Sequence, residues 1–131
     1  MQNFSLGLLV IRIGLAGVLL WFGSQQLLSP SDWVGYVPAW ASMIGDVHTI
    51  VFLNGSLEIL CGLLLLSGFF IHIAALFMAL HLILIASSLG YNSTAIRDWG
   101  LAFSFLGLVF AGGGEYTLRM LTPVLSRTGS R

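Results

Sequence analysis

Apolar residues fill four long runs, near Ser5 to Leu28, Thr49 to Ser67, Gly68 to Gly90 and Ala95 to Gly113. A membrane-spanning helix needs about 20 mainly apolar residues, and each run reaches that length. Turn chemistry separates them: Ser29-Pro30-Ser31-Asp32 ends the first, Ser67-Gly68 divides the second from the third, Gly90 to Thr94 divides the third from the fourth, and Gly112-Gly113-Gly114 closes the last. The pattern predicts an all-α fold, an integral membrane four-helix bundle, with residues 1–131 forming one domain. Only the first connection is long. Its Trp33, Tyr36, Pro38 and Trp40 suit an interfacial loop with a short helix, because amphipathic rings favour the headgroup level. Trp21, Trp33, Trp40 and Trp99 are most simply interface anchors.

Polar residues interrupt these runs at few places: Arg12, Asn54, Glu58, His72, His81, Arg97 and Asp98. An ionisable group in hydrocarbon is expensive, so each marks a paired structural contact or a site of chemistry. Residues three, four and seven apart share a helix face. Asn54 and Glu58 therefore lie on one face with Gly55 and Gly62, and small residues there admit a neighbouring backbone closely. In the third run His81 aligns with Ala74, Met78 and Ser88, whereas His72 points the other way, so His81 is the interior candidate. Arg97, Gly100, Ser104, Gly107 and Ala111 form a small and polar stripe in the fourth run, and Arg12 shares one with Gly23 and Gln26 in the first.

Depth along the helices, at about 1.5 Å per residue, puts Glu58 and His81 at one level, Asn54, Gln26, Arg97 and Asp98 toward the outer surface, and Arg12 below Glu58 but within reach of it. Two readings follow. In one, Arg12, Asn54, Glu58, His81, Arg97 and Asp98 line a polar pocket for a quinone headgroup, whose carbonyls need donors and whose reduction needs a proton source. In the other, Arg12 with Glu58 and Arg97 with Asp98 are ion pairs that fix helix register. His72 reads as an interfacial histidine and Cys61 as a small hydrophobe. No catalytic residue is named by either reading.

Composition narrows the classes. With 57% hydrophobic and 8% charged residues, the chain falls outside soluble globular domains, where about a quarter of residues are charged. Its partner is a lipid bilayer. Lys is absent and the five Arg are dispersed, so no basic patch supports nucleic-acid binding. The single Cys61 supplies neither a disulfide nor a thiolate metal site, and His72 and His81, nine apart, face opposite sides of one helix, so no metal is expected. The first run, containing Arg12, lacks a cleavage signal and reads as a retained helix. Arg119, Arg127 and Arg131 follow the last run while the Asp32 to Asp46 connection has no Arg, so positive-inside counting places both termini in the cytoplasm. The segment 115–121 has helical spacing fit for the membrane surface, with a frayed tail from Thr122.

Several of these residues carry a family resemblance. Arg12-Ile13-Gly14 with Trp21-Phe22-Gly23, Asn54-Gly55-x-x-Glu58, His81, Arg97-Asp98 and the exit Gly113-Gly114-Glu115-Tyr116-Thr117-Leu118 resemble the DoxX family of small bacterial membrane proteins, over nearly the entire chain. The resemblance implies a four-helix inner-membrane protein and a role beside oxidoreductases, the family taking its name from a thiosulfate:quinone oxidoreductase subunit. It also implies Lys soon after the first helix's Phe-Gly, where this chain has Gln25-Gln26, so a cation suited to an anionic substrate is missing. The expected role is a small, quinone-interacting subunit of a bacterial oxidoreductase system, with a protein partner in a membrane complex or a homo-oligomer. The alternative is a non-catalytic structural or assembly subunit.

Overall fold

The structure, a computed structural model, describes residues 2–117. Along the chain run α1 (Gln2–Leu28), a 3-10 helix (Pro30–Tyr36), a short α2 (Ala39–Ser42), α3 (Val47–Ser67), α4 (Ile71–Leu89) and α5 (Ser93–Ala111), with no strand among the described residues. Helices α1, α3, α4 and α5 are long and apolar enough to cross a membrane. The 19 residues of α4 and of α5 rise about 28 Å, close to the hydrocarbon thickness of about 30 Å. The chain is thus an all-α, multi-pass membrane protein.

Local chemistry sets the helix ends, and it moves them from the expected positions. The Asp46 side chain accepts from the Thr49 backbone N–H at 2.9 Å, so α3 starts two residues earlier than hydropathy alone indicates. Asn92 caps α5 in the same way through Ala95 N at 2.8 Å. At the other end of α3, Gly68 takes a left-handed conformation (φ 79°) and returns its N–H to Leu64 O, a cap that favours glycine because a Cβ is strained there. Phe70 is also left-handed, so α4 begins at Ile71 and not at Gly68. The first connection holds two short helices in place of one, and Pro30 starts the 3-10 turn, where its missing N–H is no loss. Helix α5 ends at Ala111, and Glu115 to Thr117 are not helical; the rest of the expected surface helix and the tail lie outside the described residues.

The helices form two closely packed pairs, α1 with α3 and α4 with α5, joined chiefly across α3 and α4. A Cβ added at Gly23 would meet Gly55 O at 2.7 Å, and one at Gly55 would meet Gly23 O at 2.8 Å. The two glycines let α1 and α3 approach backbone to backbone. Buried positions on α1 include Ser5, Leu8, Arg12, Leu15, Ala16, Leu19 and Gln26, the three-and-four spacing of a bundle seam. Large apolar side chains such as Val10, Leu53, Ile73 and Phe103 point outward. Lipid solvates that surface as well as the core would, so the inward face is distinguished by small and polar residues, not by greater hydrophobicity.

Candidate functional site

The bundle interior is polar at two levels, one near the N-terminal third of α1 and one near its C-terminal end. At the first, Arg12 is 1% exposed and donates to four carbonyls. Its Nε and one terminal nitrogen reach Leu65 O at 3.0 and 2.9 Å, that nitrogen also reaches Leu66 O at 3.2 Å, and the other reaches Gly113 O and Tyr116 O, both at 2.8 Å. A guanidinium has five N–H donors, and these five hydrogen bonds use them all. The acceptors lie in the last turn of α3 and in the chain leaving α5, where helix ends leave carbonyls unpaired and the dipole favours a cation.

The expected Arg12–Glu58 pair therefore does not form. Helix α1 runs antiparallel to α3 in a register that sets Gly23 against Gly55 and Arg12 against Leu65. Leu65 lies seven residues beyond Glu58, about 10 Å along the helix. Helical side chains also lean toward their own N-terminus, which carries the Arg12 head farther from Glu58. With its donors spent, Arg12 has none left for a ligand.

At the second level, three side chains close a network between α1 and α3. Gln26 Nε2 donates to Glu58 Oε2 at 3.0 Å, and Asn54 Nδ2 donates to Gln26 Oε1 at 2.7 Å and to Glu58 Oε1 at 3.0 Å. Glu58 is buried, and its two oxygens are held by amides. On α5, Arg97 grips its neighbour Asp98, with Nε and a terminal nitrogen 2.9 and 2.8 Å from Oδ1. Being adjacent on one helix, this pair fixes no register between helices. The guanidinium lies over the Phe22 ring at 4.5 Å, and the Arg97 side chain is 42% exposed against 5% for Asp98.

Between these groups is a cavity of about 250 Å³. Gln26, Asn54, Glu58, Arg97 and Asp98 supply its polar wall, and leucine, isoleucine and valine side chains from α1, α3, α4 and α5 supply most of the remainder. Trp33 and Tyr36 of the 3-10 helix close one side, with Trp33 edge-on to Phe22 at 5.5 Å. A mostly apolar cleft with a few converging polar groups is the usual form of a small-molecule site. Trp33 is thus half-buried against the cavity, whereas Trp21, Trp40 and Trp99 face outward.

His81 does not join this wall. Helix α4 contributes Leu82, Ile85 and Leu89, and a step of one residue turns a helix by about 100°. His81 instead stacks on Phe77, with ring centroids 6.0 Å apart, and its Nε2 is buried without a hydrogen-bond partner among the described residues. His72 is exposed at the opposite end, beside Gly112. Cys61 is buried in the apolar core. The structure brings together Asn54, Glu58, Arg97 and Asp98 from the expected set and leaves Arg12 and His81 apart. Gln26, Phe22, Trp33 and Tyr36 join the site unannounced. Only Gln26 gave a sequence signal, as a polar residue on an inward stripe.

Fold and site define a small multi-pass helical membrane protein with a polar cavity near one end of its bundle. The chain belongs to the DoxX family, whose model matches residues 7–90. That match spans α1 to α4 and stops short of Arg97 and Asp98, so it is narrower than the whole-chain resemblance expected from the sequence. No curated protein and no solved structure matched the chain.

Proposed function

We propose that the protein is a quinone-interacting membrane subunit of a bacterial oxidoreductase system, with the cavity beside Glu58 and Arg97 as the headgroup site. The observation that carries this reading is a cavity in which an incompletely used guanidinium and two carboxylates meet an otherwise apolar wall. Quinone carbonyls accept hydrogen bonds, Arg97 retains donors for them, and the apolar wall suits the ring and the start of the tail. The missing cation at Gln26 and the excess of carboxylates disfavour an anionic substrate in this position. In this reading residues 1–131 act as one domain in the bacterial inner membrane with both termini cytoplasmic, and a partner chain or a second copy supplies the remaining redox chemistry.

The saturated Arg12 favours a second reading, a purely structural or assembly subunit, since it is a buried charge used wholly to tie helices together. Native purification with mass spectrometry of the lipid extract separates the two. The quinone reading expects near-stoichiometric quinone with the wild type and little with Arg97→Leu. A stoichiometric protein partner with no quinone would establish the structural reading instead.

A further inference from the structure

The cavity side chains partly satisfy one another, and what they still offer a ligand is uneven. Both N–H groups of Asn54 are spent, and one of the two on Gln26 is spent on Glu58. A carboxylate offers about four lone-pair sites. Glu58 uses two, and among the described residues Asp98 keeps Oδ2 entirely, because both Arg97 contacts fall on Oδ1. Asp98 is more than nine-tenths buried and lines the cavity, yet its Oδ2 is not among the sealed polar atoms. It is an open acceptor in a largely apolar pocket, and such an acceptor carries a desolvation penalty that an incoming donor relieves. Arg97, the main donor left, is already stacked on Phe22 and well exposed, so its remaining N–H groups have less to gain.

From this asymmetry we infer that the cavity binds the reduced, hydroxyl-bearing form of its ring ligand in preference to the oxidised carbonyl form. The inference rests on the quinone reading above. A quinol presents two O–H donors, which Asp98 Oδ2 and the spare lone pairs of Glu58 accept; a quinone presents acceptors only, and leaves Asp98 Oδ2 and those lone pairs without a donor. Hydrogen bonds from a hydroxyl to a carboxylate are roughly twice as strong as neutral ones. One such net bond gives the quinol an advantage of about tenfold or more in affinity. For a two-electron couple a tenfold preference raises the midpoint potential of the bound ligand by about 30 mV. The inference concerns binding alone and moves no electrons.

The test uses full-length protein in lipid nanodiscs, titrated without oxygen against decylubiquinone, decylubiquinol and the dimethyl ether of decylubiquinol, with empty discs subtracted. The ether keeps ring and tail but has no O–H to donate, so it probes the same bond without altering the protein. Quinol binding at least about tenfold tighter than quinone, with the ether falling to the quinone's level, supports the inference. Asp98→Asn then brings quinol and quinone within about threefold of each other. Quinone bound as tightly as quinol, or an ether that matches the quinol, overturns the preference and leaves the quinone reading intact. Binding of none of the three above empty discs overturns both.

Discussion

Arg12 and Arg97 are each a single guanidinium in an otherwise apolar helix, and they differ in what meets them. Arg12 lies over the ends of α3 and α5 with its five donors on backbone carbonyls; a hollow lined by Gly68 to Ile73 and Gly113 opens at this end, but Arg12 does not line it and has no donor left to serve it. Among the described residues Arg97 pairs only with Asp98, keeps donors, and borders a cavity that Trp33 and Tyr36 close on one side. A buried charge is therefore not a functional signal by its type. What separates structure from site is whether its bonding capacity is used up and whether the side chain itself lines open volume.

The sharpest way to break this comparison is to remove Arg12. Arg12→Leu strands four carbonyls and should cost roughly 3 kcal/mol or more of stability in detergent unfolding. Arg12→Lys, with three donors in place of five, should recover at most half. Because Arg12 and Glu58 are not partners, Arg12→Leu and Glu58→Leu should add to within about 0.5 kcal/mol, and a strong positive coupling would restore the ion pair that the register denies.

A smaller loss comes from the α1–α3 contact that positions the cavity wall. Gly23→Ala drives a Cβ to 2.7 Å from Gly55 O, and overpacking of this kind costs about 1–3 kcal/mol. Gly7→Ala is the control, since nothing lies within 4 Å of its Cβ position. Equal effects from the two would mean that the close approach is unimportant.

Much of this fold is legible in the sequence. Length and hydropathy mark the four spans, and the Asn54–Glu58 spacing identifies an inward face that the structure retains. The helix ends were less legible, since Asp46 and Asn92 extend α3 and α5 by capping, which hydropathy does not register. The inward face of α4 was harder still. A membrane helix is apolar all round, so periodicity places His81 on a stripe without saying which stripe faces the bundle; the buried stripe runs through Ala75, Met78, Ala79, Leu82 and Ala86. The partner of Arg12 depends on interhelical register and on the lean of its side chain, and Trp33 and Tyr36 depend on how a 3-10 turn folds back over the bundle. Neither has a pattern within one helix.

At the cavity end the comparison expects function to move more than stability. Asp98→Asn keeps an oxygen for Arg97 and changes only the unbonded Oδ2 into an amide nitrogen, so unfolding should change by less than about 1 kcal/mol while quinol affinity falls about tenfold. Equal damage to both would make Asp98 structural in the manner of Arg12.

The smallest effect concerns Asp46, outside the spans. The Thr49 N–H and hydroxyl hold its carboxyl below the usual value of 3.8. A carboxylate with a lowered folded pKa stabilises at pH above its unfolded value and loses that contribution as pH falls through the folded one. Stability should therefore drop slightly below about pH 4, and Asp46→Ala should lower the melting temperature a little at pH 7 and remove this acid-dependent part. A pH profile of melting identical in wild type and variant would dismiss the cap.

The most direct test of the contrast between the two ends is photoaffinity labelling with an azidoquinone, followed by peptide mapping of the adducts. The account predicts adducts concentrated on Trp33, Tyr36 and the start of α5 around Thr94 to Arg97, displaced by excess unlabelled quinol. Labelling centred on residues 65–73 and 113–117 beside Arg12, or spread evenly over the outward faces of the four helices, would contradict it.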